Sequence, residues 1–163
     1  MSVIDEYLDN NSAHAAEFSA GDLSIPPTDE IAIVVGMDAG LDVLAILGLD
    51  KGNAHIIRNA GGVVTDDVIR SLMISQRLLG TREIMLVHHT DCGMLTFTDA
   101  ELEEAIEEET GTRPAFSIQS FSNLEESVRK SIAQIQASPF IPHKQVVRGF
   151  VYEVETGNLR EVK

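Results

Sequence analysis

The run Ile31-Ala32-Ile33-Val34-Val35 is apolar without a break, and every residue but Ala32 is β-branched. A strand with one wet face alternates apolar and polar residues, so an unbroken run predicts a strand covered on both faces. Ala54–Ile57 and Glu83–His88 read as two further strands. Helical segments separate them. Leu41–Leu47 is a short one, closed by Gly48. Thr65 has the place of an N-cap, Asp66 and Asp67 suit the positive helix end, and Val68, Ile69, Leu72 and Leu79 keep helical spacing up to Gly80. Thr98 with Glu101, and Ser122 with Glu125, have capping-box spacing; the second helix stops before Pro139. Val146–Val151 and Tyr152–Val162 read as strands around Thr156-Gly157-Asn158. This alternation predicts an α/β fold with a central, mostly parallel sheet flanked by helices. Residues 1–163 are expected to form one domain. Its first part, 1–27, contains a polar helix over Val3–Phe18 ended by Pro26-Pro27, with too few apolar residues for a core role and better suited to packing on a partner subunit.

Charge removes several function classes. The formal net charge of −14 repels phosphate backbones and offers no basic patch to anionic membranes, so nucleic-acid and membrane partners are not expected. No apolar run reaches the roughly 20 residues of a bilayer span. Met1–Asn11 is acidic and polar, unlike a secretory signal. One cysteine excludes an internal disulfide and fits a reducing cytoplasm.

That cysteine, Cys92, lies in His88-His89-Thr90-Asp91-Cys92-Gly93, directly after the third strand. His89 and Cys92 have the short spacing of two metal ligands on a turn. Three loops, Gly36–Gly40, Arg58–Gly62 and Thr90–Gly93, follow strands of a parallel sheet and should meet at one edge of it, where such sheets place ligands.

Met37-Asp38-Ala39, Arg58-Asn59-Ala60-Gly61, Thr65-Asp66-Asp67 and His89-Thr90-Asp91-Cys92-Gly93, in this order, resemble the β-class carbonic anhydrases over nearly the whole chain, and in particular the short actinobacterial members. The resemblance implies that family's α/β fold, a homodimer or dimer of dimers with the first helix embracing its partner, and zinc held by two cysteines and one histidine with a fourth position open. Zinc ionises water near neutral pH for attack on CO₂. An aspartate–arginine dyad accepts the proton, the arginine keeping the aspartate off the metal.

The family's first loop reads Cys-x-Asp-x-Arg; here it reads Gly36-Met37-Asp38-Ala39-Gly40. His89 and Cys92 match two ligands and Asp38 matches the catalytic carboxylate, but one thiolate and the dyad guanidinium are gone. Two outcomes are open. In one, zinc is weakened or absent. In the other, Asp38 joins His89 and Cys92 on the metal, freed of its arginine competitor. Either predicts impaired CO₂ hydration, as a repurposed small-molecule enzyme, a silent ligand-binding homologue, or a carbonate dehydratase or CO₂-like-substrate hydrolase with a rearranged site. The lost side chains also predict an enlarged pocket bordered by Gly36, Gly40, Arg58 and Gly61, open to a small carboxylate or a CO₂- or bicarbonate-like molecule. Arg58 is expected to pair with Asp91, Met37 to pack in the core, and His88 to be structural.

Overall fold

Five strands form one sheet in the order β2-β1-β3-β4-β5 in the computed structural model, which describes residues 2–163. The strands are β1 (Ile31–Gly36), β2 (Ala54–Asn59), β3 (Glu83–His89), β4 (Val147–Glu153) and β5 (Asn158–Val162). The first four are parallel and β5 returns antiparallel to β4. Both faces of β1 are covered, as its unbroken apolar run requires. Ala32 and Val34 pack with Val68 and Leu72 of α3 (Asp66–Leu79) and Ile135 of α5 (Leu124–Ala137). Ile33 and Val35 face the other way, against Leu41 and against Val43 of α2 (Val43–Leu47). All four β1 side chains are essentially inaccessible, and burying each Ile or Val contributes about 1.5–3 kcal/mol.

The helix ends follow local chemistry. The Thr65 hydroxyl accepts the Val68 amide, and Gly80 takes a left-handed conformation at the far end of α3. Thr98 and Glu101 form a reciprocal capping box on α4 (Asp99–Thr110), an acidic helix with no buried residue. Several boundaries differ from expectation, the following among them. Asn123, not Ser122, caps α5, its side chain accepting the Glu126 amide at 3.0 Å. Tyr152 belongs to β4, opposite Leu159. The first helix, α1 (Val3–Glu17), ends at its cap Phe18, well before Pro26.

No residue of α1 is buried, and Val3, Ile4, Tyr7 and Leu8 are each more than half exposed. Sheet topology places the functional end of the molecule. The chain leaves β1 for β2 on one side and reaches β3 on the other, so β1 and β3 flank a topological switch point whose crevice opens at their carboxyl ends.

Candidate metal centre

The three loops expected at this edge do meet there. Asp38 stands two residues past β1, His89 ends β3, and Cys92 lies on the turn that follows. One donor atom of each lies within 4.8 Å of the other two. His89 and Cys92 are buried, whereas the Asp38 side chain is 38% exposed. The soft donor is thus inside and the carboxylate is on the solvent side.

The imidazole is oriented for ligation. His89 Nδ1 lies 2.7 Å from the Thr90 carbonyl oxygen, which can only accept, so Nδ1 carries a proton and Nε2 is the nitrogen left to face the site. Nε2 is buried and lies 2.8 Å from Asp38 Oδ2, an ion-pair contact when the ring is protonated. A buried ring nitrogen facing a carboxylate and a thiol fits a metal ligand whose place a proton takes until metal displaces it. The Cys92 sulfur beside the ring raises the His89 pKa to about 9; the Thr90 carbonyl and Asp38 carboxylate add to this, and burial opposes it.

Gly36 explains why the carboxylate sits where it does. A β-carbon at this position would lie 3.1 Å from Asp38 Oδ2 and 3.3–3.4 Å from the His89 ring. Asp38 and His89 therefore occupy the space toward which a residue-36 side chain would point. The expected enlargement fails at Gly36 for this reason. At Gly40, by contrast, a β-carbon would meet nothing within 4 Å. A cavity of about 420 Å³ opens there, lined by Asp38, Gly40, His89, Asp91 and Tyr152 among others.

Arg58 and Gly61 are also absent from that lining. The Arg58 guanidinium donates to the carbonyl oxygens of Gly36 at 2.9 Å, Leu41 at 3.0 Å and Asp38 at 2.7 Å. It holds the first loop by its backbone, leaves the Asp38 carboxylate untouched, and does not pair with Asp91. Gly61, at φ 78°, is closed in by Met94 and Phe121. Gly62 is constrained more tightly. Its φ is 66°, and a β-carbon would stand 3.0–3.1 Å from backbone atoms of Val35, Gly36 and Val87. His88 is fully buried, its Nε2 proton donated to the Gly62 carbonyl at 3.1 Å. Burial lowers its pKa to about 4. Met37 is 64% exposed rather than in the core, because residue 37 leaves the strand as the loop turns outward.

Two participants escaped the sequence reading. Thr90 fixes the His89 tautomer, and adjacency to a ligand was the only available signal. Tyr152 reaches the cavity because β4 pairs it directly with His89, a register that no local pattern shows.

Residues 31–159 match the family model described as carbonic anhydrase. The chain is 57% identical over 162 residues to β-carbonic anhydrase 1 of Mycobacterium tuberculosis, covering 99% of each. It is 32% identical to a carbon disulfide hydrolase of an Acidianus species, covering 98% of this chain and 90% of that one. Among solved structures, the carbonic anhydrase of Streptococcus mutans superposes with a TM-score of 0.93 at 45% identity, covering 100% and 99% of the two chains. By its sheet, its loops and these likenesses together, the chain belongs to the β-carbonic anhydrase family.

Proposed function

We propose that this chain is a zinc-dependent carbonate dehydratase, or a hydrolase of a similarly small, neutral CO₂-like molecule, working through a rearranged Asp38–His89–Cys92 site at a reduced rate with CO₂. The convergence of these three donors within 4.8 Å carries the reading. Zinc held there supplies Lewis acidity that ionises water near neutral pH. The chain's own groups set the rest. Thr90 keeps the His89 lone pair turned inward. Arg58 fixes the height of the first loop through three carbonyls. Asp38 has no guanidinium beside its carboxylate to hold it off the metal; as a ligand it no longer serves as the proton acceptor. That loss is the reason for slow turnover.

The cavity beside Gly40 favours a substrate larger or softer than CO₂ as the better one. Carbon disulfide hydrolases among the relatives make such molecules a natural trial set. Asp38 and Asp91 line the cavity without a lysine or arginine beside them, which favours a neutral substrate over the small carboxylate expected from sequence.

The exposed apolar side chains of α1 support the arm reading: residues 1–27 pack on a second copy to form a homodimer or dimer of dimers. The lone thiol, which must stay reduced to bind metal, supports a cytoplasmic location. No helix among the described residues is long and apolar enough to cross a membrane.

Metal analysis of the purified protein and of His89→Ala, with turnover of CO₂, carbonyl sulfide and carbon disulfide, tests the function. One zinc per chain, lost in His89→Ala, with measurable turnover of one substrate, is expected. A folded, metal-free protein inactive on all three refutes it.

A further inference from the structure

Resting on the metal reading above, we infer that the site is a hard-shifted centre that discriminates against Cd²⁺ and accepts Co²⁺ and Fe²⁺ more readily than a two-thiolate site on the same scaffold. The donors are one carboxylate oxygen, one imidazole nitrogen and one thiolate sulfur. A second thiolate is not available, since Cys92 is the only cysteine. Thiolates select soft ions, whereas carboxylates favour harder ones. Exchanging sulfur for oxygen at one of three positions therefore moves the preference along that scale.

Geometry adds to donor chemistry. Asp38 carries two oxygens on a half-exposed side chain, so its denticity can change without disturbing the core. The cavity at Gly40 lies on the same side and has room for water to complete a larger coordination shell. Both features suit ions that prefer five or six ligands over a strict tetrahedron. His89 and Cys92 are buried and allow no such adjustment, so Asp38 sets the selectivity.

The test uses metal-free, reduced protein titrated with Zn²⁺, Cd²⁺ and Co²⁺ against a competing chelator. Gly36→Cys adds a thiol where a β-carbon would press on Asp38 Oδ2. Asp38→Cys makes the same exchange of donors at an open position without crowding. The Cd²⁺-to-Zn²⁺ affinity ratio should rise at least ~10-fold in either variant. The near-ultraviolet sulfur-to-Co²⁺ absorption should roughly double as the second thiolate binds. One-to-one metal binding with ratio and absorption unchanged in both variants overturns this inference alone. Failure of the parent chain to bind any of the three ions overturns the metal reading itself.

Discussion

Lowering the pH should weaken this fold through His88 by an amount the structure sets. The imidazole is fully buried, donates Nε2–H to Gly62, stacks at 5.6 Å on Phe121, and leaves Nδ1 buried without a partner. Protonation would place a charge there and strand a second N–H. Its pKa accordingly falls from 6.5 to about 4 in the folded chain. The sign follows from the proton count. Between those values the unfolded chain binds the proton and the native one does not, so stability is complete above pH 6.5 and is lost as pH falls toward 4. At about 1.4 kcal/mol per pKa unit, the loss is roughly 3 kcal/mol. Urea unfolding at pH 7, 6, 5 and 4, with a chelator present, measures it. His88→Gln keeps an amide donor for Gly62 but cannot titrate, and it reports the contribution of every other group. The parent should lose roughly 3 kcal/mol more than His88→Gln across this range. Parallel stability curves would refute the reasoning, as would an imidazole proton resonance of His88 that titrates near 6.5.

Three further outcomes follow from neighbouring contacts. Zinc affinity should increase with pH up to about 9, because the His89 proton must leave for the metal to bind; competition titrations from pH 6 to 9 should show it, and a flat profile would count against His89 as a ligand. Arg58→Lys exchanges three carbonyl contacts for one at most, so thermal unfolding and zinc titration should show a loss of about 2–4 kcal/mol in stability together with weaker metal binding. Gly149→Ala places a β-carbon 2.2 Å from Val128 Cγ1 and 3.0 Å from Ile132 Cδ1, and should cost about 1–3 kcal/mol in a melt, whereas Gly40→Ala in open space should leave the melt unchanged.

Sequence and structure agree where the cause is local. The apolar run of β1, the Thr65 and Thr98 caps and the left-handed Gly48 and Gly80 were all legible, because each depends on a few adjacent residues. The α5 cap was ambiguous for the same reason: Ser122 and Asn123 both stand three residues before a glutamate, and only backbone geometry chooses Asn123. Arg58 shows the other limit. A sequence displays a candidate counter-charge in Asp91 but not three converging carbonyl oxygens at the end of β1. The missing thiol and guanidinium were visible as Gly36 and Gly40. That one place is filled and the other left open was not, because that depends on how Asp38 and His89 pack.

The two glycines have unlike consequences, and that difference can be tested one residue at a time. Gly36 borders occupied space, so a cysteine there must displace Asp38; the tightest contact is to the end of a flexible side chain, and a shift of a few tenths of an ångström there and at the His89 ring admits it. That variant should bind zinc more tightly, since a thiolate replaces a carboxylate that is half exposed to competing water. Gly40 borders empty space, so the β-carbon of an arginine there displaces nothing, and its guanidinium adds a cation two residues from Asp38. Alone it should weaken metal binding, because it draws away the carboxylate that now supplies the third donor. The changes are therefore non-additive: the cysteine replaces the donor that the arginine removes, and only the pair frees Asp38 as a proton acceptor beside a complete ligand set. CO₂ hydration should rise far more in Gly36→Cys/Gly40→Arg than the product of the single effects. Equal activity of Gly40→Arg alone and of the double variant would mean that Asp38 never held the metal.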